Sequence, residues 1–235
     1  MHTEVGRLVG LWRYPVKSMG GEPLDTVDVS WNGVVGDRRW AFVRAGVERS
    51  GFPWLTIRER PDMNAYHPRF VDPARPNASA VQVRTPSGPE YDVLSPELAI
   101  DLGHGAQVIK QDRGVFDAFP ISLISTQTVA GLSALVGEDL DVRRFRPNLI
   151  VEASGTEPYP EDAWVGSTLR IGTLTFRIDK RDGRCAVVNV DPSSGQRDPA
   201  TLRAIAQERG ACAGVYGTIV EPGRVTRGDV VTVVR

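Results

Sequence analysis

The sequence predicts a mostly β protein: an antiparallel β-barrel with a few helices, packed against a smaller β-rich N-terminal module. Short runs of β-branched and aromatic residues dominate the chain, turn signals separate them, and only two segments show helical spacing of apolar residues. A chain of 235 residues, 41% of them hydrophobic, is long enough for one large core or two small domains.

In the N-terminal half, each predicted strand is bounded by residues that favour turns. Asn32-Gly33 is a good tight-turn dipeptide because both residues tolerate positive φ. Residues 71–80 carry two prolines and small polar residues, which predicts an exposed loop. The strands predicted here cover residues 5–14, 23–30, 39–44, 80–84, 91–94 and 106–110.

The C-terminal half contains both predicted helices. The first begins at the capping pair Ser125-Thr126 and ends at Gly137, and the second covers residues 198–208. The remaining runs predict strands at 148–152, 167–171, 174–179, 186–190, 215–220 and 230–234. A soft boundary near residue 110 divides the chain into an N-terminal module, 1–110, and a second domain, 111–235, which we expect to pack closely because no flexible linker separates them.

Composition excludes several classes of protein. A net charge of −1 argues against broad nucleic-acid binding, which needs a strongly basic surface. No apolar run is long enough to span a membrane, and the first residues do not resemble a signal peptide. Two cysteines do not make a disulfide framework or a zinc motif, so a reducing cytoplasm is the expected location.

Few motifs with known chemistry are present. There is no glycine-rich dinucleotide loop, Walker sequence or Gly-x-Ser-x-Gly elbow, and His2, His67 and His104 stand alone. Cys185 follows Arg184, and a fixed cation beside a cysteine favours the thiolate, which binds metals and attacks electrophiles. For an isolated cysteine the alternative is a small buried apolar residue, which is the interpretation we prefer for Cys212.

Several short motifs follow one another along nearly the whole chain. They are Tyr14-Pro-Val-Lys-Ser18, Gly36-Asp-Arg-Arg-Trp40, Leu55-Thr-Ile-Arg58, Pro120-Ile-Ser-Leu-Ile-Ser-Thr126, Arg144-Phe-Arg-Pro-Asn148, Gly183-Arg-Cys185 and Val190-Asp-Pro-Ser-Ser-Gly195, followed by Val215-Tyr-Gly and Glu221-Pro-Gly-Arg. Taken in this order, the motifs resemble a MOSC protein with its N-terminal β-barrel module, related to molybdenum-cofactor sulfurase C-terminal domains and the mitochondrial amidoxime reducing component.

The resemblance implies a molybdenum–molybdopterin cofactor, in which the pterin dithiolene and one protein cysteine hold the metal. By motif, Cys185 takes that ligand position, and Arg184 would keep it deprotonated. Family-level descriptions also imply binding of pyridoxal phosphate.

The resemblance also assigns anion and pterin contacts, each of which has a simpler structural alternative. Lys17 is otherwise a loop lysine, and Ser125 and Thr126 cap a helix in either case. Alternation along a strand sends Arg38 and Arg39 to opposite faces, and the motif selects Arg38 for the pocket. The cofactor-binding residues implied are Lys17, Ser18, Arg38, Arg58, Ser125, Thr126, Arg146, Asn148 and Arg184, with Arg58 matching its motif least well.

The activity implied is reduction of small N-hydroxylated compounds, such as amidoximes, hydroxylamines and N-hydroxylated bases. No iron–sulfur motif follows the last predicted strand, so we expect electrons from a separate ferredoxin, flavodoxin or reductase. Two alternatives use the same residues: a sulfur carrier or sulfurtransferase with a Cys185 persulfide, and a non-catalytic protein that binds the cofactor. No proton donor can be named from the sequence.

Overall fold

A computed structural model describes residues 2–47 and 49–234 of the chain, and over these residues the protein is mostly β, as predicted. The N-terminal half contains one helix, α1 (Pro96–Leu102). Its strands are β1 (His2–Arg13), β2 (Glu22–Leu24), β3 (Thr26–Ser30), β4 (Gly33–Val34), β5 (Trp40–Val43), β6 (His67–Phe70), β7 (Val81–Arg84), β8 (Glu90–Asp92) and β9 (Gln107–Lys110).

The C-terminal half contains the two longer helices, α2 (Thr126–Val136) and α3 (Ala200–Arg209). Its strands are β10 (Ile121–Ser125), β11 (Leu149–Ala153), β12 (Thr168–Ile171), β13 (Leu174–Gly183), β14 (Cys212–Glu221), β15 (Gly223–Thr226) and β16 (Val230–Val234). No helix in the described part of the chain is long and apolar enough to cross a membrane.

Seven strands close into a barrel in the order β11–β10–β14–β13–β12–β16–β1. The first strand closes it, because β1 pairs antiparallel with β16 on one side and with β11 on the other. Gly6 permits this close approach, since a Cβ there would lie 2.4 Å from the carbonyl oxygen of Glu152. Apolar side chains fill the interior, among them Leu8, Phe176 and Val215.

A second apolar cluster lies among the remaining N-terminal elements. It includes Phe42 of β5, Val83 of β7 and Leu98 of α1, and it also takes in Val190 from the C-terminal half. A third cluster, with Leu132 and Ile205, packs α2 and α3 against the barrel. The two halves therefore share buried apolar surface, which keeps the segments between them in fixed positions.

Both predicted helices are confirmed. Ser125 is the N-cap of α2 and accepts from the backbone N–H of Thr128, and Gly137 ends the helix with a left-handed φ of 82°. The helix predicted at 198–208 is α3, which Gly210 ends in the same way. The run predicted as one strand at 23–30 is two strands, β2 and β3, which belong to different sheets.

The strand predicted at 186–190, directly after the candidate cysteine, is wrong. Residues Ala186–Asn189 form a 3-10 helix, in which the N–H of Val188 donates to the Cys185 carbonyl at 3.2 Å. The apolar run is explained by packing, because Val188 enters the third cluster whereas Val190 enters the second. Its side chains anchor the turn that carries Cys185 between two cores.

Candidate functional site

A cavity of about 270 Å³ opens where the turns after β1 and β4 meet the turns before β11 and after β13. Residues from both halves of the chain line it. They include eight predicted site residues, namely Lys17, Ser18, Arg38, Arg58, Arg146, Asn148, Arg184 and Cys185.

Cys185 lies at this cavity with a free, half-buried thiol. Strand β13 pairs with β14 as far as Gly183, opposite Cys212, and the chain then leaves the sheet and turns. The thiol therefore projects from the end of a barrel strand. Such a position combines a rigid support with access from the cavity.

The cation next to the thiol is Arg58. Its Nη2 lies 3.2 Å from Sγ of Cys185, and this hydrogen bond raises the pKa of Arg58. The expectation that Arg184 serves the thiol is wrong, because Arg184 donates to the carbonyls of Ala213 and Phe145 and pairs with Asp182. Arg184 ties the turn to its surroundings, whereas Arg58 supplies the charge at the sulfur.

Lys17 is almost fully buried rather than exposed. Its Nζ lies 2.6 Å from Oδ1 of Asp117 and 3.1 Å from the carbonyl oxygen of Val115. Burial lowers the pKa of Lys17 in spite of the nearby carboxylate, and the charge of Lys17 holds the pKa of Asp117 down against its own burial. A cation and its counter-ion therefore form one wall of the cavity.

Two guanidinium groups share one aromatic ring beside Lys17. Arg38 and Arg146 lie over the ring of Tyr14, with 4.6 Å and 4.4 Å from each Cζ to the ring centroid. Burial, together with the charge of Arg38, lowers the pKa of Arg146 to about 10. Nη2 of Arg146 is buried and has no hydrogen-bond partner within residues 2–47 and 49–234. Arg38 pairs with Asp37, so Arg146 is the less neutralised of the two.

Backbone strain is concentrated at the same place. Ser18, Arg38 and Arg146 have φ values of 68°, 49° and 49°, in the left-handed region that non-glycine residues avoid. All three line the cavity. Strained backbone of this kind persists where the surrounding structure enforces it, and it clusters at functional sites. Arg38 and Arg39 differ in position, but strand alternation is not the reason. Arg38 lies in a turn before β5, and Arg39 donates to Asn77 and Gln111.

Asn148 is a structural member of the wall. Its Oδ1 accepts from the backbone N–H of Ser122, and its Nδ2 donates to the carbonyl of Trp12. These bonds connect β10, β11 and β1 at the rim of the barrel. Asn148 therefore fixes the geometry of the segment that carries Arg146.

Ser125 and Thr126 are not brought to the cavity. The Ser125 hydroxyl is buried against the Glu161 carboxylate at 2.6 Å, and Thr126 is exposed at the start of α2. The capping role expected for the pair is present, whereas neither residue lines the cavity that the other eight share. Ser125 and Thr126 belong to the motif as the residues that join β10 to α2.

Sequence reasoning missed an acidic and aromatic side of the cavity. Asp182 is 1% exposed and has a pKa raised to about 6 by burial against the opposing charge of Arg184. The ring of Tyr216 stacks on Phe119 with 6.1 Å between centroids. The sequence contained a signal, since Asp182 and Arg184 are two positions apart and residues two apart in an extended segment face the same side.

The lining suits a bulky anion. Lys17, Arg38, Arg58 and Arg146 converge there, and buried N–H groups of Arg144 and Arg146 have no hydrogen-bond partner among the described residues. Guanidinium groups bind phosphate through paired hydrogen bonds, so an anionic ligand would satisfy these donors. Within residues 2–47 and 49–234, no group of three His, Cys, Asp or Glu residues forms a metal site. Cys185 lines the cavity, and a thiolate is a soft ligand that suits a redox transition metal.

Two family models match the chain. The MOSC N-terminal beta barrel domain matches residues 5–115, and the MOSC domain matches residues 110–232, which is more than half of the chain. The chain belongs to the MOSC domain family. The resemblance inferred from the motifs is thereby confirmed, as is the β-barrel that it implied.

Curated relatives of this MOSC protein match it over part of their length. Mitochondrial amidoxime-reducing component 1 of Xenopus laevis is 32% identical over 104 residues, covering 43% of this chain and 29% of that protein. Molybdenum cofactor sulfurase 2 of Culex quinquefasciatus is 43% identical over 67 residues, which are 28% and 8% of the two chains. The molybdenum cofactor sulfurase of Caenorhabditis briggsae is 23% identical over 257 residues, or 92% and 34%. The chain spans about a third or less of the length of these three relatives.

Among solved structures, the YUAD protein from Bacillus subtilis has a similar fold. The two chains align over 99% of this one and 97% of the other, with a TM-score of 0.54 and 14% sequence identity. At that identity the likeness concerns the fold alone.

Proposed function

We propose that this MOSC protein is a molybdenum-cofactor oxidoreductase that reduces N-hydroxylated compounds. The observation that carries the proposal is the Cys185 thiol at a cavity lined by buried cations. The relatives named amidoxime-reducing component and molybdenum cofactor sulfurase support the molybdenum cofactor as the group bound. When bound, the cofactor supplies two-electron redox chemistry at molybdenum.

The residues of the chain then have separate tasks. Arg146, with its unpartnered Nη2, would bind the phosphate of the cofactor, and Lys17 and Arg38 would offset the rest of its negative charge. The Cys185 thiolate would be the protein ligand to the metal, and Arg58 would hold it in its ligating form. Arg184 and Asn148 hold the supporting turns in place. Binding of pyridoxal phosphate, an anion that the same cations could hold, stays a prediction.

The electron source is proposed to be a separate ferredoxin, flavodoxin or reductase. We expect the purified chain to be inactive with NADH alone and active with an artificial reductant such as reduced viologen. Activity with NADH alone would count against a separate donor.

A sulfur carrier is the second candidate, and the half-buried thiol favours it as well. In that role Cys185 would hold a persulfide for transfer to a metallo-cofactor, and no resident molybdenum would be needed. The relatives named as molybdenum cofactor sulfurases make this candidate specific. A non-catalytic cofactor-binding protein would use the same pocket without turnover.

Metal content and turnover separate the three. We expect about one molybdenum per chain after expression in a host that makes the cofactor, and benzamidoxime reduction with reduced viologen. Cys185→Ala should lose both, whereas the matched control Cys212→Ala, which removes the cysteine outside the cavity, should keep both. Cyanide-releasable sulfur on a molybdenum-free chain would favour the carrier, and molybdenum without turnover would favour the binding protein.

A further inference from the structure

Asp182 is a buried carboxyl group at the inner side of the cavity. Its Oδ2 lies 2.8 Å from Nη2 of Arg184 and 3.5 Å from Oγ of Ser122. Its Oδ1 is buried and has no hydrogen-bond partner in the described part of the chain. An unpaired buried oxygen is costly, and a ligand in the cavity is the partner that it lacks.

The groups around Asp182 come from four segments. Arg184 is on its own segment, the Tyr216 hydroxyl acts on it from β14, Ser122 faces it from β10, and the charge of Arg38 acts on it from the turn before β5. All four groups lower the pKa of Asp182, but burial outweighs them and raises it to about 6. Burial, followed by the charge of Asp182, also raises the pKa of Tyr216, so the phenol keeps its proton.

The other carboxyl group lining the cavity is not suited to hold a proton. Asp117 forms an ion pair with Lys17, and the pKa of Asp117 is lowered. Two carboxyl groups in one cavity with pKa values moved in opposite directions indicate separate roles, one ionised and one able to carry a proton.

We propose that Asp182 is the proton donor of the cavity and delivers a proton to the N-hydroxylated substrate as its N–O bond breaks. This inference rests on the proposed function. The overall reaction takes up two protons and two electrons per substrate: the N–O bond breaks, the nitrogen gains one hydrogen, and the oxygen gains the other and leaves as water. The separate electron-transfer protein supplies both electrons. Asp182 supplies one proton, becomes a carboxylate beside Arg184, and recovers a proton from solvent, and solvent supplies the second proton.

The first test needs no cofactor. Carbon-13 NMR of the intact chain labelled at aspartate carboxyl carbons, with the Asp182 signal assigned by its loss in Asp182→Asn, should show half-titration near pH 6. Tyr216→Phe keeps the ring but removes the hydroxyl that lowers the pKa of Asp182, so the midpoint should move to higher pH. A carboxyl that titrates near the ordinary aspartate value of about 4 overturns the donor role whatever the activity.

The second test uses the molybdenum-loaded chain, benzamidoxime and reduced viologen. The wild-type rate should fall as pH rises through the Asp182 midpoint, and Asp182→Asn should be about 100-fold slower or more with that pH dependence removed. Tyr216→Phe should move the fall in rate by the same interval as the NMR midpoint. Asp179→Asn is the matched control: it lies on the same strand outside the cavity lining and pairs with Arg177, so it should keep the wild-type profile.

Three further results would overturn the inference. If the wild type is active and Asp182→Asn is equally active at every pH, the donor role is overturned while the proposed function stands. If the pH profile of the rate in Tyr216→Phe does not follow the NMR midpoint, the donor role is again overturned. Wild type that carries molybdenum yet reduces no N-hydroxylated compound removes the proposed function and the donor role together.

Discussion

Nη2 of Arg58 lies 3.2 Å from Sγ of Cys185, although the two residues are 127 positions apart in the sequence. Arg58 comes from a turn of the N-terminal half, and Cys185 comes from the end of a barrel strand. The thiol therefore contacts a residue outside the segment that the MOSC domain model matches. The candidate site is assembled by both halves of the chain.

Loss of this contact should slow the reactions of Cys185. In a Cys212→Ala background, Arg58→Ala should reduce the rate of iodoacetamide alkylation of Cys185 by about tenfold, because it removes the charged group that contacts the sulfur. Mass spectrometry of the modified peptide measures the rate. Arg60→Ala is the control, since Arg60 pairs with Asp62 two residues away. Equal rates in the two variants would show that Arg58 does not act on the thiol.

Tyr14 should matter through its ring and not through its hydroxyl. The ring lies under Arg38 and Arg146, whereas the hydroxyl is buried and has no partner among the described residues. Tyr14→Leu should lower the free energy of unfolding by about 3 kcal/mol, because buried volume and two cation–π contacts are lost. Tyr14→Phe should be neutral or stabilising by up to about 1 kcal/mol. Urea unfolding measures both, and a large loss in Tyr14→Phe would contradict the assignment.

Asp182 should make the protein less stable as pH rises from about 4 to 6. The native pKa is about 6 and the reference value 3.8, so in this interval the unfolded chain loses a proton that the folded chain keeps. Below this interval Asp182 is protonated in both the folded and the unfolded chain. Above it Asp182 is ionised in both, and the full loss of unfolding free energy, on the order of 3 kcal/mol, remains. Asp182→Asn should remove this part of the pH dependence in urea unfolding. A wild type and variant with parallel profiles would refute the assignment.

The cavity should bind a small polyanion without the cofactor. Pyrophosphate at 100 times its dissociation constant should stabilise the cofactor-free protein by about 2.7 kcal/mol, seen as a rise in Tm. Arg146→Ala should lose most of that rise, because it removes a buried donor that has no protein partner in the described chain. Arg170→Ala, an exposed change on β12, should keep it. A rise unchanged in Arg146→Ala would place the anion elsewhere.

Local patterns were enough to predict the mostly β fold, both longer helices and most strands, since alternation, caps and turn residues act over a few positions. The helix α1 was missed although Ser95-Pro96 is a clear start signal. Ser95 is the N-cap of this helix, and Pro96 lies in its first turn. The apolar run at 186–190 misled because Val188 and Val190 pack into different cores. Which core an apolar residue enters depends on tertiary packing, and periodicity does not contain that information.

The same limit applies to the site. Motif order located eight of the cavity residues, but it could not tell which cation faces the thiol. Adjacency in sequence favoured Arg184, whereas the fold turns Arg184 toward Asp182 and brings Arg58 to the sulfur. Asp182 was missed for a related reason, because its raised pKa arises from burial, which sequence spacing does not reveal.

The role of β1 in closing the barrel has a consequence for how this fold is made and handled. Its barrel neighbours β11 and β16 come more than a hundred residues later in the chain, so during synthesis the first strand has only the short β2 as a partner until most of the protein has emerged. A fragment cloned to the MOSC match alone, 110–232, would carry six of the seven barrel strands and an open seam with two unpaired edges. Supplying residues 2–13 as a separate peptide should restore such a fragment by filling that seam.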